Sequence, residues 1–196
     1  ERLTVYLSDD KGWLATFELE EALRDDALQT VAALQTQGAQ VFLCSGDAAA
    51  PVQHVAEQVG IPQFQAACTP AGKLDYLQQL QAQGRTVAMV GDGINDGPVL
   101  AGANLSFSLG HAAALTQTRS DFVILGGNIA GVAMTIDLAR RMRTVVRQNL
   151  SWALAYNAAC VPLAVAGYLP AWLAGLGMAT SSLLVVLNAL RLTRFS

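Results

Sequence analysis

The sequence predicts an α/β protein: a doubly wound parallel sheet, followed by a two-helix transmembrane hairpin. Three observations predict it. Between residues 20 and 127, short apolar runs alternate with stretches of helical periodicity, the order that lays parallel strands side by side through crossover helices. Two of those runs end in acid-bearing glycine turns, Ser45-Gly46-Asp47 and Gly91-Asp92-Gly93-Ile94-Asn95-Asp96. The 43 residues from Gln148 to Leu190 contain no Asp, Glu, Lys, Arg or His, enough for two membrane crossings of about 20 residues each.

Residues 2–7 and 13–19 read as two strands joined by the turn Ser8-Asp9-Asp10-Lys11-Gly12. From residue 20 the pattern turns helical: Leu23, Ala27, Val31 and Leu34 share a face, and Gly38 ends the helix. Ala39 to Asp47 is a short buried strand running into a tight turn, residues 50–60 are the next helix, and residues 63–67 a short strand. Pro70 opens a helix that Gly84 closes; proline suits a first turn, whose amide has no helical partner. Residues 85–93 repeat the strand-into-turn pattern, and 104–110 and 121–126 are two more short strands. A long helix is expected from about Asn128, with residues 128–147 linking the sheet to membrane helices at 148–169 and 171–190.

Charge is unevenly placed. The chain carries 12 Lys or Arg against 15 Asp or Glu, a net charge of −3, yet no acid follows Asp137. Its mean hydropathy, +0.36, is high for a soluble domain. Arg140, Arg141, Arg143 and Arg147 precede the uncharged run, and Arg191 and Arg194 follow it. Basic flanks on both sides put both ends of the hairpin on the cytoplasmic side and set the arginines against lipid headgroups, not nucleic acid. The bland alternative is the buried two-helix core of a soluble protein. A signal peptide is excluded by the position of the run. The opening in strand-like sequence reads as part of a larger protein. Cys44, Cys68 and Cys160 show no paired spacing, so neither a disulfide framework nor a zinc knuckle is indicated. His54 reads as a surface residue, and His111 as facing solvent, with nucleotide contact as the alternative.

Ligands bind at strand exits in open α/β sheets. Glycine turns there let phosphate approach the backbone. Asp92 and Asp96 offer oxygen to a hard cation such as Mg²⁺, Ser45 a hydroxyl and an amide to a phosphoryl oxygen, and Lys73 a point charge at a helix start. Ordinary αβ turns are the alternative, and the four residues together weigh against it.

These residues resemble the haloacid-dehalogenase-type phosphorylation domain of P-type ATPases. Ser45-Gly46-Asp47 looks like that family's Thr/Ser-Gly-Asp motif, Pro70 to Lys73 resembles its Pro-x-x-Lys, and residues 91–103 match the signature Gly-Asp-Gly-x-Asn-Asp-x-Pro-x-Leu-x-x-Ala. The resemblance implies that Asp92 binds Mg²⁺ with Asp96 beside it, and that Asn95 and Asp96 support the phosphate site. It also implies that Ser45 and Lys73 steady the phosphoryl group, that Asp47 helps close the domain, and that Gly46, Gly91 and Gly93 shape the loops. Residues 1–19 then look like the end of a nucleotide-binding domain, and 20–127 like the C-terminal part of the phosphorylation domain. The family phosphorylates the Asp of an Asp-Lys-Thr-Gly-Thr motif, and no such string occurs here. Asp9-Asp10-Lys11-Gly12 lacks the threonines and reads as a hairpin turn. The fragment alone is therefore expected to be inactive. Two positions depart from the family pattern: Gly97 stands where Ala is usual, at a cost in helix stability, and Asn104 where Asp is usual, removing a charge near the loop.

The uncharged run holds Tyr156, Asn157, Cys160 and Pro162 in its first half and Met178, Thr180, Ser181, Ser182 and Asn188 in its second. Polar groups in hydrocarbon face a protein interior or a pathway, or else serve helix packing. Residues 156–162 and 178–192 resemble the last two helices of heavy-metal P-type ATPases of the monovalent copper class. By that resemblance Tyr156, Asn157, Met178 and Ser182 contribute to a site for transported Cu⁺, which a soft thioether suits. Cys160 matches no usual ligand position and reads as a core residue. Residues 169–178 look like the subgroup serving cytochrome oxidase assembly. The implied whole is an ATP- and Mg²⁺-dependent Cu⁺ export pump, multi-pass in the cell inner (plasma) membrane with its phosphorylation domain in the cytoplasm. Its implied partners are the lipid bilayer and a copper chaperone or acceptor protein. Alternatives are a zinc/cadmium-type pump of the same family, a membrane-anchored haloacid-dehalogenase-like phosphatase with Asp9 as its one candidate nucleophile, or a non-catalytic protein on a degenerate pump fold.

Overall fold

In the computed structural model, which describes residues 3–19, 22–91, 96–110 and 120–195, the chain divides into two units, Glu1–Ala133 and Met134–Ser196. The first opens with an antiparallel hairpin of β1 (Leu3–Asp9) and β2 (Gly12–Leu19), with a bulge between Leu7 and Ser8. Its turn is local chemistry: the Asp9 carboxylate accepts from the Lys11 amide at 2.8 Å, and Gly12 takes φ 130, open to glycine alone.

Helix α1 (Ala27–Thr36) starts at Ala27, not at residue 20, and Leu23 is exposed. Residues 22–26 are held by long-range bonds instead. Arg24 Nη1 donates to the Gly127 carbonyl at 2.6 Å, and Asp26 Oδ2 accepts from the Ala130 amide at 2.8 Å. An acid at the start of a helix, where free amides and the dipole attract it, is favourable. Here the helix it serves begins at Ala130, far along the chain.

The elements that follow are β3 (Phe42–Cys44), α2 (Ala49–Val59), β4 (Gln63–Gln65), α3 (Pro70–Ala82), β5 (Ala88–Gly91), α4 (Gly97–Gly102), β6 (Leu105–Leu109) and β7 (Phe122–Ile124). Thr69 caps α3 by accepting from the Gly72 amide at 3.0 Å, with Pro70 in the first turn as the sequence predicts. Gly60 ends α2 in the left-handed region at φ 73. All pairings after the hairpin are parallel, as βαβ order requires. They form two ladders: β3 with β4, and β5-β6-β7. No ladder joins β3 to β5 among the described residues.

One core cluster lies between α1 and α2: Ala27, Val31, Ala56, Val59 and Ile61, with Val41, Leu43 and Ile129 packed against it. In the other ladder β6 is the inner strand, and Ser106 to Leu109 are all buried. Its two serines are satisfied, as burial demands. Ser106 Oγ donates to Asp121 Oδ2 at 2.8 Å, and Ser108 Oγ lies 2.7 Å from Ser120 Oγ.

The second unit is helical. Helix α5 (Ala130–Val165) starts in the first unit and continues through Arg147 without a break. The long helix expected from about Asn128 starts at Ala130, and most of the linking segment 128–147 and of the span 148–169 falls within it. Loss of charge changes which solvent a helix prefers but not its backbone, and residues 132–161 contain neither Gly nor Pro. Helix α6 (Ala171–Leu190) follows a turn in which Gly167 takes φ 77. It packs antiparallel to α5: Asn188 Nδ2 donates to Asn149 Oδ1 at 2.9 Å, Trp152 Nε1 to Ser181 Oγ at 3.0 Å, and Tyr156 Oη to the Ala174 carbonyl at 3.5 Å. Among the described residues one helix, Ala171–Thr193, is long and apolar enough to cross a membrane.

Phe107 is 0% exposed and stacks on Phe122 at 5.3 Å between centroids, whereas Phe122 is 44% exposed. Phe107→Ala should therefore cost about 3–5 kcal/mol, and Phe122→Ala clearly less, read as the drop in thermal-unfolding midpoint of each variant.

Candidate functional site

The first site gathers at the exits of β3 and β5. Beyond β3 the Ser45 amide donates to the Gln65 carbonyl at 3.0 Å, carrying the ladder one residue past the strand. Ser45 Oγ then donates to Asp47 Oδ2 at 2.5 Å. Facing backbone holds this turn from the other side. The Cys68 amide donates to the Ser45 carbonyl at 2.9 Å and the Ala67 amide to the Asp47 carbonyl at 2.8 Å. Ala67 pays for that bond with φ 52, a left-handed conformation uncommon for a residue with a side chain. No sequence signal marks Ala67. Gly46 is not needed for space: a Cβ there would meet only the Cys68 carbonyl, at 3.5 Å.

At β5 the constraint is tighter. Lys73, in the first turn of α3, donates from Nζ to Asp96 Oδ1 at 2.9 Å, with the two side chains 18% and 13% exposed. Asp96 stands at the N-terminus of α4 yet makes no capping bond, because its carboxylate is turned to the lysine. Gly91 makes this possible, since a Cβ there would lie 3.0 Å from both Cβ and Oδ2 of Asp96. The Lys73 charge is also felt at Cys44, next to Ser45. Two groups result, Ser45 with Asp47 beyond β3, and Lys73, Asp96 and Gly91 at β5. Asp92, Gly93, Asn95 and His111 lie outside the described residues. His54 is on the exposed face of α2, with its Nε2 3.1 Å from Gln58 Nε2.

Oxygen is the donor type that Mg²⁺ prefers. Asp96 fits that ion in kind, with Oδ1 already held by Lys73. The second expected carboxylate, Asp92, lies outside the described residues, and no group of three metal-binding side chains occurs among the described ones.

Asn104 departs from its expected place. It lies beside the start of β5, not beside the exit loop: its Oδ1 accepts from the Val87 amide at 2.9 Å and from Gln81 Nε2 at 3.1 Å. An amide oxygen meets both donors, so no charge is required there.

Burial and the neighbouring Cys68 push the Cys44 thiol above its ordinary value, and the Lys73 charge pulls the other way. Less thiolate means slower alkylation. Cys44 should react with iodoacetamide more slowly than a free thiol at mildly alkaline pH, and more slowly still in Lys73→Met, by peptide mass spectrometry. For the ion pair, a double-mutant cycle of Lys73→Ala and Asp96→Ala should give a coupling of about 0.5–3 kcal/mol; strictly additive costs would show that the pair contributes nothing.

The second site lies between α5 and α6. Tyr156 and Met178 line one concavity of about 420 Å³, together with Cys160. Gly177 lets the tyrosine in, because a Cβ there would stand 2.6 Å from its Oη. Asn157 and Ser182 do not line it. Asn157 is exposed and turns back to donate to the Ala153 carbonyl at 2.8 Å, and Ser182 is exposed on α6. The serine that bridges the helices is Ser181, through Trp152.

The family model of haloacid dehalogenase-like hydrolases matches residues 1–104. Cation-transporting P-type ATPase B of Mycobacterium bovis is 41% identical over 191 residues, 97% of this chain and 25% of that protein. The probable copper-exporting P-type ATPase V of Mycobacterium tuberculosis is 39% identical over 194 residues, 99% of this chain and 25% of that one. The crystal structure of a zinc-transporting PIB-type ATPase in its E2.Pi state superposes with a TM-score of 0.84 at 28% identity, covering 97% of this chain and 31% of that chain. The chain therefore spans about a quarter of the length of the curated relatives it matches. With a lysine–carboxylate pair at parallel strand exits, a fold shared over nearly its whole length and relatives of one kind, the chain belongs to the haloacid dehalogenase-like family and, within it, to the heavy-metal P-type ATPases.

Proposed function

We propose that the protein containing this chain is an ATP-driven export pump for monovalent copper, working through an aspartyl phosphate. One observation carries the choice of ion: Tyr156 and the Met178 thioether face a single concavity in a stretch of 43 residues with no Asp, Glu, Lys, Arg or His. A divalent zinc ion in hydrocarbon calls for carboxylate, imidazole or several thiolate ligands, and the uncharged run supplies no carboxylate or imidazole and a single thiol. The zinc-transporting structure shares the fold, so a zinc/cadmium pump is the second reading.

In the first unit, Lys73 and Ser45 would hold the phosphoryl group, and Asp47 would help close the domain. Asp92 and Asp96 would hold Mg²⁺, with Asn95 supporting the site; bound there, the ion supplies charge neutralisation on phosphoryl oxygens. We infer that a strand bearing the phosphorylated aspartate lies between β3 and β5. Supporting this, Arg85 Nη1 donates to Gln40 Oε1 at 2.6 Å near the starts of the two strands, Lys73 relates their exits, and no ladder joins them among the described residues. The β1–β2 hairpin exposes Tyr6, Trp13 and Phe17, each at least 50%, and would pack into the rest of a nucleotide-binding domain. Asp9 is a poor nucleophile for the phosphatase reading, because its carboxylate closes the hairpin turn. The chain by itself would not turn over ATP. In the intact protein the hairpin would sit in the inner (plasma) membrane with the phosphorylation domain in the cytoplasm, taking copper from, or passing it to, a chaperone or acceptor protein.

The test is metal-dependent phosphorylation of the intact protein from radiolabelled ATP under reducing conditions. Cu(I) and Ag(I) should stimulate an acid-stable phosphoenzyme, and Zn(II) should not. Stimulation by Zn(II) alone would sink the copper reading.

A further inference from the structure

We propose that Cys160 is a direct sulfur ligand of the transported monovalent soft ion and a determinant of selectivity for it. The inference rests on the copper reading above. Of the four residues expected to bind the ion, two, Tyr156 and Met178, line the concavity of about 420 Å³ between α5 and α6, and Cys160 lines it with them. Tyr156 and Cys160 are one helical turn apart, the spacing that puts two side chains on one face. Met178 approaches from the other helix. The site therefore offers two sulfurs and a phenol oxygen from two helices. The rest of its lining is aliphatic, Val161, Ala164 and Leu169 among it, so no competing hard ligand surrounds the sulfurs.

Two physical arguments favour the thiol. Thiolate and thioether together select Cu(I) over harder ions. A single positive charge in an uncharged, apolar hairpin is also costly unless it is neutralised. Tyr156 and Met178 are neutral ligands. A thiol neutralises the ion on binding it: the S–H bond gives way to a sulfur–metal bond, the proton leaves to water, and no electron is transferred. Cys160 is a free thiol and half-buried, in contrast to Asn157, which is exposed and bonded back to its own helix.

The experiment uses the intact pump in detergent. Cu(I) X-ray absorption counts sulfur neighbours in wild type and Cys160→Ser, and peptide mass spectrometry follows Cys160 alkylation by N-ethylmaleimide with and without Ag(I). Phosphoenzyme formation gives the half-saturating Cu(I). We expect one fewer sulfur neighbour in Cys160→Ser, protection of Cys160 by Ag(I), and half-saturation raised about tenfold or more, with the sulfur count but not the full affinity restored in Cys160→Met, whose thioether stays neutral. A residue that only packs would leave the sulfur count unchanged. Wild type that responds to Cu(I), with the sulfur count or the Cys160 labelling rate indifferent to the variant or the ion, overturns the proposal and leaves the copper reading standing. Wild type that responds to Zn(II) and not to Cu(I) overturns both.

Discussion

The first unit depends on the ion pair between Lys73 and Asp96. It joins the starts of two helices, α3 and α4, at the exit of β5. A largely buried pair of this kind adds little net stability, because desolvation offsets much of the attraction. Its effect is orientation. The lysine is kept at the strand exits instead of reaching into solvent, and the carboxylate is drawn away from capping its own helix. The missing side chain at Gly91 is the condition for both.

The second unit meets the opposite demand, keeping polar groups in an apolar stretch without leaving them unsatisfied. Thr180 donates to the Leu176 carbonyl at 2.6 Å and Asn157 to Ala153, each within its own helix. Trp152 with Ser181 and Asn188 with Asn149 bridge the two helices. With these groups occupied locally, Tyr156, Cys160 and Met178 are the side chains with ligand chemistry that line the concavity. The polar groups of the hairpin thus divide between bonds within one helix and bonds across the two, Tyr156 among the latter.

Much of this was legible in residue order. The hairpin turn at Asp9–Gly12, the proline start of α3, the glycine end of α2 and the parallel βα alternation follow from short-range rules, and each appears close to where those rules put it. The pairing of Lys73 with Asp96 joins a helix start to a strand exit, places that glycine and proline signals mark in the chain. The start of α1 was not legible. Apolar periodicity continues upstream of Ala27, but Arg24 and Asp26 find partners a hundred residues away, and helical backbone at 22–26 would deny them those bonds. Asn104 misled for a similar reason: four residues along a strand separate one end of the sheet from the other, so nearness in sequence to the loop was not nearness in space.

The sequence by itself determined the class of the chain, the acid-bearing glycine turns at its strand exits and the presence of a long uncharged, apolar stretch. Those properties depend on local backbone preference and on composition, which need no knowledge of distant partners. Only the tertiary structure decided that Asp96 serves Lys73 before its own helix, and that Cys160 shares the concavity of Tyr156 and Met178 while Asn157 and Ser182 do not. Which face a helical residue presents to a neighbouring helix follows from packing between segments remote in sequence, here the close approach that Gly177 allows Tyr156.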